Sequence, residues 1–377
     1  MTSHPPTTTV DQVQPLFRPF AVGGLALPNR IVMAPMTRGF SPGGVPGADV
    51  ADYYARRAAG GTALIVTEGT YIDHATAGWG ERVPRFHGEH ALAGWQHVAR
   101  AVHAAGGRIA AQLWHVGTRL DHGMRPPAGT RILGPSGLGA DGRPIAGGRA
   151  MSEADLADVI AAYARAAGEA ERRGFDAVEI HAAHGYLIDS FLWSTTNRRT
   201  DGYGGDLHGR TRLAREVVAA VRGAVSPTFP VMFRFSQWKM DDYAARLAHT
   251  PHELERLLTP LVEAGVDVFH ASTRHHLAPE FEDNELTLAG WTRKLTGRPT
   301  IAVGSVGLNI DFMRALAGAE DSRTDLDGLL ARLDRDEFDL IAVGRSLLAD
   351  PGWAEKIRTG RPDRVTPFTR PLLGTLH

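Results

Sequence analysis

Two histidines and a tyrosine stand close together in the segment HAAHGYL. His184 follows His181 by three residues, and Tyr186 comes two residues later. Two imidazole N–H groups could hold a carbonyl oxygen, and the phenol could supply a proton. Two other interpretations are open. One is a His-x-x-His zinc site, although no carboxylate or third histidine stands beside the pair, and the other is a pair of histidines that cap a strand end.

Two further polar residues interrupt apolar runs that we expect to be buried strands. Arg234 lies within VMFRFS, and Gln112 lies between Ala111 and Leu113. A buried arginine requires an anionic partner or several acceptors, and a buried glutamine requires both donors and acceptors. Arg234 therefore either pairs with a carboxylate inside the fold or faces a ligand that becomes anionic during turnover.

The elements that must position these side chains are short apolar runs that alternate with helical patterns. The predicted strands are 30–36, 62–68, 108–114, 175–181, 231–236, 266–272, 300–306 and 338–344. Residues 152–173 open with a capping-box spacing, and residues 250–264 open with an N-cap followed by proline. Apolar strands separated by helices predict a parallel sheet covered on both faces, and eight such units favour a closed (β/α)8 TIM barrel.

In such a barrel the active site lies at the C-terminal ends of the strands. The residues at those ends are Pro35, Met36, Thr37, Glu68, Gly69, Gln112, Trp114, His115, His181, His184, Arg234, Ser272, Thr273, Gly304, Ser305, Gly344 and Arg345. The glycine-rich pieces VGSVG and VGR follow the seventh and eighth strands, where barrels frequently bind phosphate through backbone N–H groups. Arg345 adds a cation suited to phosphate oxygens. No dinucleotide-binding or P-loop fingerprint is present.

Two segments exceed the minimal barrel. Residues 116–150 are rich in glycine and proline and too long for an ordinary connection, so we expect a lid insertion after the third strand. Residues 320–336 predict an extra helix. No linker divides the chain, and we therefore expect residues 1–16 to be a disordered lead-in and residues 17–377 to form a single domain.

One short segment and two tryptophans are expected to have structural rather than functional roles. Residues 239–242 read as a solvated loop. Trp114 and Trp238 could line an aromatic slot, but a core position is the safer expectation for either.

Composition excludes several classes of function. The chain has 377 residues, 41 basic and 42 acidic, for a net charge of −1, which gives no electrostatic signature for nucleic acid or an anionic membrane. There is no cysteine, so thiolate nucleophiles, cysteine-ligated zinc, iron–sulfur clusters and cysteinyl-linked cofactors are excluded. The N-terminus lacks the features of a signal peptide, and no run is apolar enough to span a membrane. We expect a cytoplasmic protein and leave its oligomeric state open, a homo-oligomer included.

Six motifs in order resemble the old yellow enzyme family of FMN-dependent ene-reductases. They are NRIVMAPMTR, TEG, AAQLWHVG, HAAHGYL, NRRTDGYGG and VGR, and the resemblance spans about residues 17 to 353. It implies an (α/β)8 barrel that holds FMN non-covalently and takes hydride from NADH or NADPH.

The resemblance also implies a role for each matching residue. Ala34, Pro35 and Met36 would back the flavin ring, Thr37 would bond to its O4 edge, and Gly69 and Gln112 would meet its pyrimidine edge. Arg234 would stand beside N1, where the reduced flavin gathers negative charge. The phosphate would be held by Gly304, Ser305, Gly344 and Arg345. Trp114 would shape the substrate pocket, and His181 would contact both flavin and substrate.

The implied reaction has two halves. NAD(P)H passes hydride to the flavin and leaves, and flavin N5 then passes hydride to the β-carbon of an α,β-unsaturated carbonyl compound. His181 and His184 would bind the carbonyl oxygen, and Tyr186 would protonate the α-carbon. An alternative is reduction of nitro compounds or nitrate esters by the same reduced flavin. A metal- or Schiff-base-dependent lyase is a further alternative, although neither Lys239 nor Lys294 lies in a predicted strand.

The sequence departs from the family's pattern in two loops. Ser236-Gln237-Trp238 stands where a Ser-Pro pair is most often expected, and residues 272–281 are divergent. The physiological substrate, the choice between NADH and NADPH and the stereochemical outcome are therefore not carried over from the family.

Overall fold

The computed structural model describes residues 11–120, 126–282, 284–319, 322 and 324–377. Its strands are β1 Phe20–Val22, β2 Leu25–Leu27, β3 Ile31–Met33, β4 Leu64–Val66, β5 Thr70–Tyr71, β6 Arg108–Trp114, β7 Ile132–Gly134, β8 Gly148–Ala150, β9 Ala177–His184, β10 Val231–Lys239, β11 Val268–Ser272, β12 Thr300–Val303 and β13 Leu340–Val343. The α-helices are α1 Ala48–Ala59, α2 Glu89–Ala104, α3 Glu153–Arg172, α4 Leu187–Leu192, α5 Leu207–Arg210, α6 Arg212–Ala224, α7 Pro251–Ala264, α8 Leu288–Thr296, α9 Phe312–Leu316, α10 Asp327–Asp334, α11 Arg345–Ala349 and α12 Trp353–Arg358.

Eight parallel strands close into a barrel. The order around the ring is β3, β4, β6, β9, β10, β11, β12 and β13, and β13 pairs with β3 to complete it. Each lies within or overlaps one of the eight predicted strands, so the (β/α)8 prediction is confirmed. Two strands run further than predicted, β9 to His184 and β10 to Lys239. Both extensions lie at the C-terminal end of the barrel.

Alternation along the strands separates two apolar layers. Val32 packs with one set of inward-facing residues, and Leu25 and Leu27 of the β1–β2 hairpin join that set. Its neighbours Ile31 and Met33 belong to the larger cluster between the strands and the surrounding helices. This arrangement is the one expected when successive side chains of a barrel strand point to opposite faces.

Two helices begin as their sequences predict. Ser152 caps α3 by accepting a hydrogen bond from the Asp155 backbone N–H, and the Asp155 side chain returns a bond to the Ser152 backbone. Thr250 caps α7 by accepting a hydrogen bond from the Glu253 backbone N–H. Each such cap satisfies backbone donors that the helix itself leaves unbonded.

The accessory segments differ in part from expectation. The segment 116–150, where we expect a lid, contains the parallel pair β7–β8, and its residues 121–125 lie outside the described part. Within 320–336 only α10 is helical among the described residues, so the predicted extra helix is shorter than expected. In the lead-in, residues 1–10 lie outside the described part, but Val13 and Leu16 are buried beside a short 3-10 helix, so the expectation of disorder through residue 16 is wrong there.

Candidate functional site

A cavity of about 430 Å³ lies at the C-terminal ends of the barrel strands. Small-molecule and cofactor sites typically have volumes of roughly 300–1,000 Å³. Every residue to which the resemblance assigned a role lines this cavity: Ala34, Pro35, Met36, Thr37, Gly69, Gln112, Trp114, His181, His184, Tyr186, Arg234, Gly304, Ser305, Gly344 and Arg345. The fold therefore brings these residues together, and their individual roles remain predictions. Of the residues expected at strand ends, Glu68 and His115 are buried and do not line the cavity.

His181, His184 and Tyr186 meet where β9 ends. The ring centroids of the two histidines lie 5.4 Å apart, and those of His181 and Tyr186 lie 4.9 Å apart. His184, with φ 65°, and Gly185, with φ 88°, turn the chain so that Tyr186 immediately precedes α4. Left-handed backbone at a histidine is uncommon and strained, and such strain clusters at functional sites.

Both histidines are neutral near pH 7. Burial, together with the positive charge of Arg234, holds the pKa of His181 and of His184 well below the usual range. A neutral imidazole carries one N–H donor and one acceptor nitrogen. The pair can therefore offer two hydrogen bonds to an oxygen without either ring gaining or losing a proton.

A buried carboxylate lies beneath the polar residues of the cavity. Gln112 donates from Nε2 to Oε1 of Glu179 at 2.8 Å, and Nδ1 of His270 lies 2.6 Å from Oε2 of the same carboxylate. Burial raises the pKa of Glu179, but attraction to His270 and Arg234 and the hydrogen bond from Gln112 bring it below its ordinary value. Glu179 is thus a hydrogen-bond partner of Gln112 and a buried carboxylate whose charge attracts Arg234.

Arg234 also faces the cavity. Its Nη2 donates to Oγ of Ser272 at 3.3 Å, and its buried Nε has no hydrogen-bond partner among the described residues. Both interpretations of Arg234 therefore stay open, since the charge of Glu179 attracts it and its Nε has no partner among the described residues.

Lys239 contradicts the expectation of a solvated loop at 239–242. It ends β10 with no exposed side-chain surface, and its Nζ lies 2.9 Å from Oδ1 of the equally buried Asp189. The ammonium also donates to the backbone oxygens of Ser236 and Gln237 at 3.2 and 2.9 Å. The strand can continue past its predicted end because the Asp189 carboxylate balances the charge of the lysine. The two backbone oxygens accept its remaining hydrogen bonds. Lys239 therefore does lie in a strand, but its amine is fully engaged.

Residues 236–238, where the sequence departs from the family's pattern, contact His184. Oγ of Ser236 accepts from the backbone N–H of His184 at 3.0 Å. The ring of Trp238 lies 4.7 Å from the His184 ring, and its Nε1 donates to the backbone oxygen of Ser272 at 3.1 Å. Trp114 belongs to the buried apolar core, as expected, and also lines the cavity. Trp238 lines the cavity and is only partly buried, so the expectation of a core position is wrong for that residue.

A basic corner closes the other end of the cavity. Ser305 has φ 47°, and its Oγ lies 3.0 Å from the backbone oxygen of Arg274 and 2.8 Å from that of Ile310, so its one hydroxyl proton can be donated to either. Nη2 of Arg345 lies 3.1 Å from Oγ of Ser305 and also donates to the Ile310 oxygen. Gly304 precedes this turn. The guanidinium of Arg345 and the left-handed turn at Ser305 thus lie where the sequence predicts a phosphate site.

Glu68 holds the loop that follows β3. Its Oε2 accepts from the backbone N–H groups of Arg38 at 2.7 Å and Gly39 at 3.0 Å, while the buried Oε1 has no partner among the described residues. Burial raises the pKa of Glu68 to about 7. The carboxyl fixes the loop that carries Thr37 into the cavity.

Sequence reasoning missed several members of this neighbourhood. Alternation along AVEIHAAH sets Glu179 on the same face as His181, so that signal was available. Asp189 carries no comparable signal because its partner Lys239 lies fifty residues away. Leu373 also lines the cavity, although it lies far from any strand end.

The described part of the chain offers neither a metal site nor a membrane-spanning helix. No group of three or more histidine, aspartate or glutamate side chains there could hold a metal ion. No helix there is long and apolar enough to cross a membrane.

Comparison with known proteins identifies the family. Residues 15–364 match the NADH:flavin oxidoreductase / NADH oxidase family. The chain is 40% identical over 356 residues to chanoclavine-I aldehyde reductase of Penicillium roqueforti, covering 93% of this chain and 92% of that protein. It is 32% identical over 354 residues to a metal reductase of Desulforamulus reducens, covering 93% of this chain and 50% of that protein. The chain thus spans about half the length of several curated relatives that it matches.

The fold agrees with this relationship. The structure of morphinone reductase matches with a TM-score of 0.77 and 32% sequence identity, covering 95% of this chain and 92% of that one. The chain therefore belongs to the NADH:flavin oxidoreductase / NADH oxidase family, the old yellow enzyme family, whose members bind FMN and take hydride from NAD(P)H.

Proposed function

We propose that this protein is an ene-reductase that reduces α,β-unsaturated carbonyl compounds at the expense of NAD(P)H. The observation that carries the proposal is the convergence of two neutral histidines and Tyr186 on one cavity. This arrangement offers two donors to an oxygen and a phenolic proton beside it.

The cavity suits a flat heteroaromatic ring with polar edges. Buried Nε1 of Trp114, Nδ1 of His181 and Nε of Arg234 have no hydrogen-bond partner among the described residues. A Cβ at Gly69 would lie 2.7 Å from the Trp114 ring, so a side chain at that position would clash with the ring that lines the cavity. These features support FMN as the occupant.

We assign the flavin contacts accordingly. One face of the ring would rest on Ala34, Pro35 and Met36, and the polar edges would meet Thr37, Gly69, Gln112, His181 and Arg234. The phosphate would bind at the basic corner formed by Gly304, Ser305, Gly344 and Arg345. Arg234 would stabilise negative charge on the ring because a guanidinium remains protonated even when buried.

When bound and reduced by NAD(P)H, FMN supplies hydride to the β-carbon of the substrate. The protein's own contribution begins with His181 and His184, whose N–H groups would bind the carbonyl oxygen and draw electron density toward it. Tyr186 would then give its hydroxyl proton to the α-carbon. The left-handed turn at His184 and Gly185 supports this division of roles, since it brings the phenol beside the two imidazoles.

Isotope labelling tests the proposal directly. FMN-loaded protein is incubated with 2-cyclohexenone and coenzyme deuterated at C4, and separately with unlabelled coenzyme in D₂O. We expect cyclohexanone with deuterium at the β-carbon in the first case and at the α-carbon in the second. Absence of the saturated ketone, with nitrite released from a nitrate ester instead, would favour the alternative reaction of the reduced flavin.

A further inference from the structure

The two ring nitrogens of His184 have different surroundings. Nε2 lies 2.8 Å from Oγ of Ser272, and both side chains are buried. Nδ1 forms no hydrogen bond with the described residues, and His184 lines the cavity. Because a carbonyl oxygen can be held only by an N–H group, the position of the single proton on this neutral ring decides whether His184 can bind substrate.

Ser272 has a second polar contact that constrains its hydroxyl proton. Nη2 of Arg234 donates to the same Oγ at 3.3 Å. A guanidinium has five donors and no acceptor, so Ser272 must accept in this contact. The one acceptor that the described residues leave for the hydroxyl proton of Ser272 is then Nε2 of His184.

We propose that Ser272 selects the tautomer of His184 in which Nδ1 carries the proton and faces the cavity. In this relay Arg234 donates to Ser272, and Ser272 donates to Nε2 of His184. The opposite arrangement, with Nε2–H donating to Ser272, would leave the buried hydroxyl proton without an acceptor, and an unsatisfied buried donor is costly.

Neighbouring groups keep both members of the relay in place. The ring of Trp238 packs against the His184 ring at 4.7 Å between centroids, tilted by 36°, and its Nε1 donates to the Ser272 backbone oxygen at 3.1 Å. Ser236 accepts from the His184 backbone N–H at 3.0 Å. Burial first, and then the charges of Arg234, His181, Lys239 and Arg119, hold the pKa of His184 well below its usual range, so the ring stays neutral.

Ser272 is therefore a positioning residue rather than a catalytic one. It acts on the substrate oxygen only through His184. This catalytic consequence rests on the proposed ene-reductase function, whereas the tautomer itself is a property of the resting protein.

The tautomer can be read without turnover. FMN-loaded, oxidised protein labelled with ¹⁵N-histidine is examined by long-range ¹H–¹⁵N correlation, with the His184 signals assigned by their loss in His184→Asn. We expect Nδ1 protonated and Nε2 unprotonated in the wild type. In Ser272→Ala we expect population of the Nε2–H tautomer, and in Ser272→Thr, which keeps the hydroxyl, the wild-type pattern. A protonated Nε2 in the wild type, or an unchanged tautomer in Ser272→Ala, would overturn the proposal.

Half-reaction kinetics separate this inference from the proposed function. We expect Ser272→Ala to slow flavin reoxidation by 2-cyclohexenone by about 10- to 100-fold, below the full loss of an oxyanion donor, with Ser272→Thr near the wild type. A tautomer that shifts as expected without slowing reoxidation would support the relay and count against the substrate-binding role of His184. The wild-type spectrum alone decides the tautomer if Ser272→Ala fails to fold.

Discussion

Nζ of Lys239 lies 2.9 Å from Oδ1 of Asp189, and neither side chain is exposed to solvent. Asp189 also accepts from the backbone N–H of Gly185 at 2.6 Å. The pair therefore ties the end of β10 to the turn between His184 and Tyr186. An ion pair in this position links the stability of the barrel to the geometry of the candidate site.

Removing one partner of this pair should be strongly destabilising. Lys239→Met leaves the Asp189 carboxylate buried without its counter-ion, and we expect a loss of about 3–5 kcal/mol in the free energy of unfolding. The double variant Lys239→Met/Asp189→Leu should recover at least half of that loss, because no charge remains buried.

Urea unfolding at a fixed FMN concentration measures these differences. Arg358→Met, which removes the exposed pair with Glu355, serves as the control and should leave the midpoint unchanged. Equal midpoints for Lys239→Met and the wild type would show that the buried pair contributes nothing.

Tyr186→Phe should separate the two half-reactions. Loss of the phenolic proton should slow reoxidation of the flavin by 2-cyclohexenone by about 10²–10⁴-fold, the usual contribution of general acid catalysis. Flavin reduction by NADPH should be nearly unaffected, since that step needs no proton at the α-carbon. Anaerobic stopped-flow absorbance measures each step.

Tyr203→Phe is the matched control for Tyr186→Phe. Its hydroxyl donates to Glu216 at 2.8 Å on the helical side of the barrel, so both rates should match those of the wild type. Equal slowing of both half-reactions in Tyr186→Phe would rule out the proton-donor role.

Arg345 should contribute to flavin affinity through the phosphate. Arg345→Met is expected to weaken FMN binding by about 10- to 100-fold, the equivalent of one charge-assisted hydrogen bond of about 1.5–3 kcal/mol. Riboflavin, which lacks the phosphate, should bind the variant and the wild type equally. Titration followed by flavin fluorescence gives all four dissociation constants, and an equal loss for both ligands would place Arg345 away from the phosphate.

Glu68 should make stability depend on pH. Its folded pKa of about 7 lies above the ordinary value of 4.5, so between these two pH values the folded state binds more protons than the unfolded state. Stability from this group is therefore present below about pH 4.5 and is lost as pH rises through 7.

Glu68→Gln should remove this dependence. We expect the unfolding free energy of the wild type, taken relative to that of Glu68→Gln, to fall by up to about 3 kcal/mol between pH 5 and pH 8. Denaturant titrations of both proteins across this range provide the comparison. A constant difference would mean that the carboxyl is ionised throughout.

Local patterns were sufficient to predict the barrel and many of the strand-end residues that line its cavity. Strand ends such as those at Gly69, His181 and Arg345 converge because parallel strands in a closed barrel finish on one face. The sequence also predicted that Arg234 and Gln112 have polar partners, because polar groups buried in apolar strands need them. The partner itself, Glu179, could also have been found from alternation.

Long-range pairing could not be predicted in the same way. Lys239 read as part of a solvated loop because nothing near it in the sequence reveals Asp189 in α4. The role of Trp238 depends on the ring of His184, whose left-handed backbone is imposed by contacts across two strands. The approach of Leu373 to the cavity likewise depends on tertiary packing rather than on local pattern.

The most direct test of the account is an absorbance spectrum of the FMN-loaded protein during anaerobic addition of NADPH and then 2-cyclohexenone. The account predicts flavin bands that bleach with NADPH and return with the enone. Bands that bleach and do not return would contradict the proposed substrate class. A protein that retains no flavin bands after it is supplied with FMN and freed of unbound FMN would contradict the assignment of the cavity.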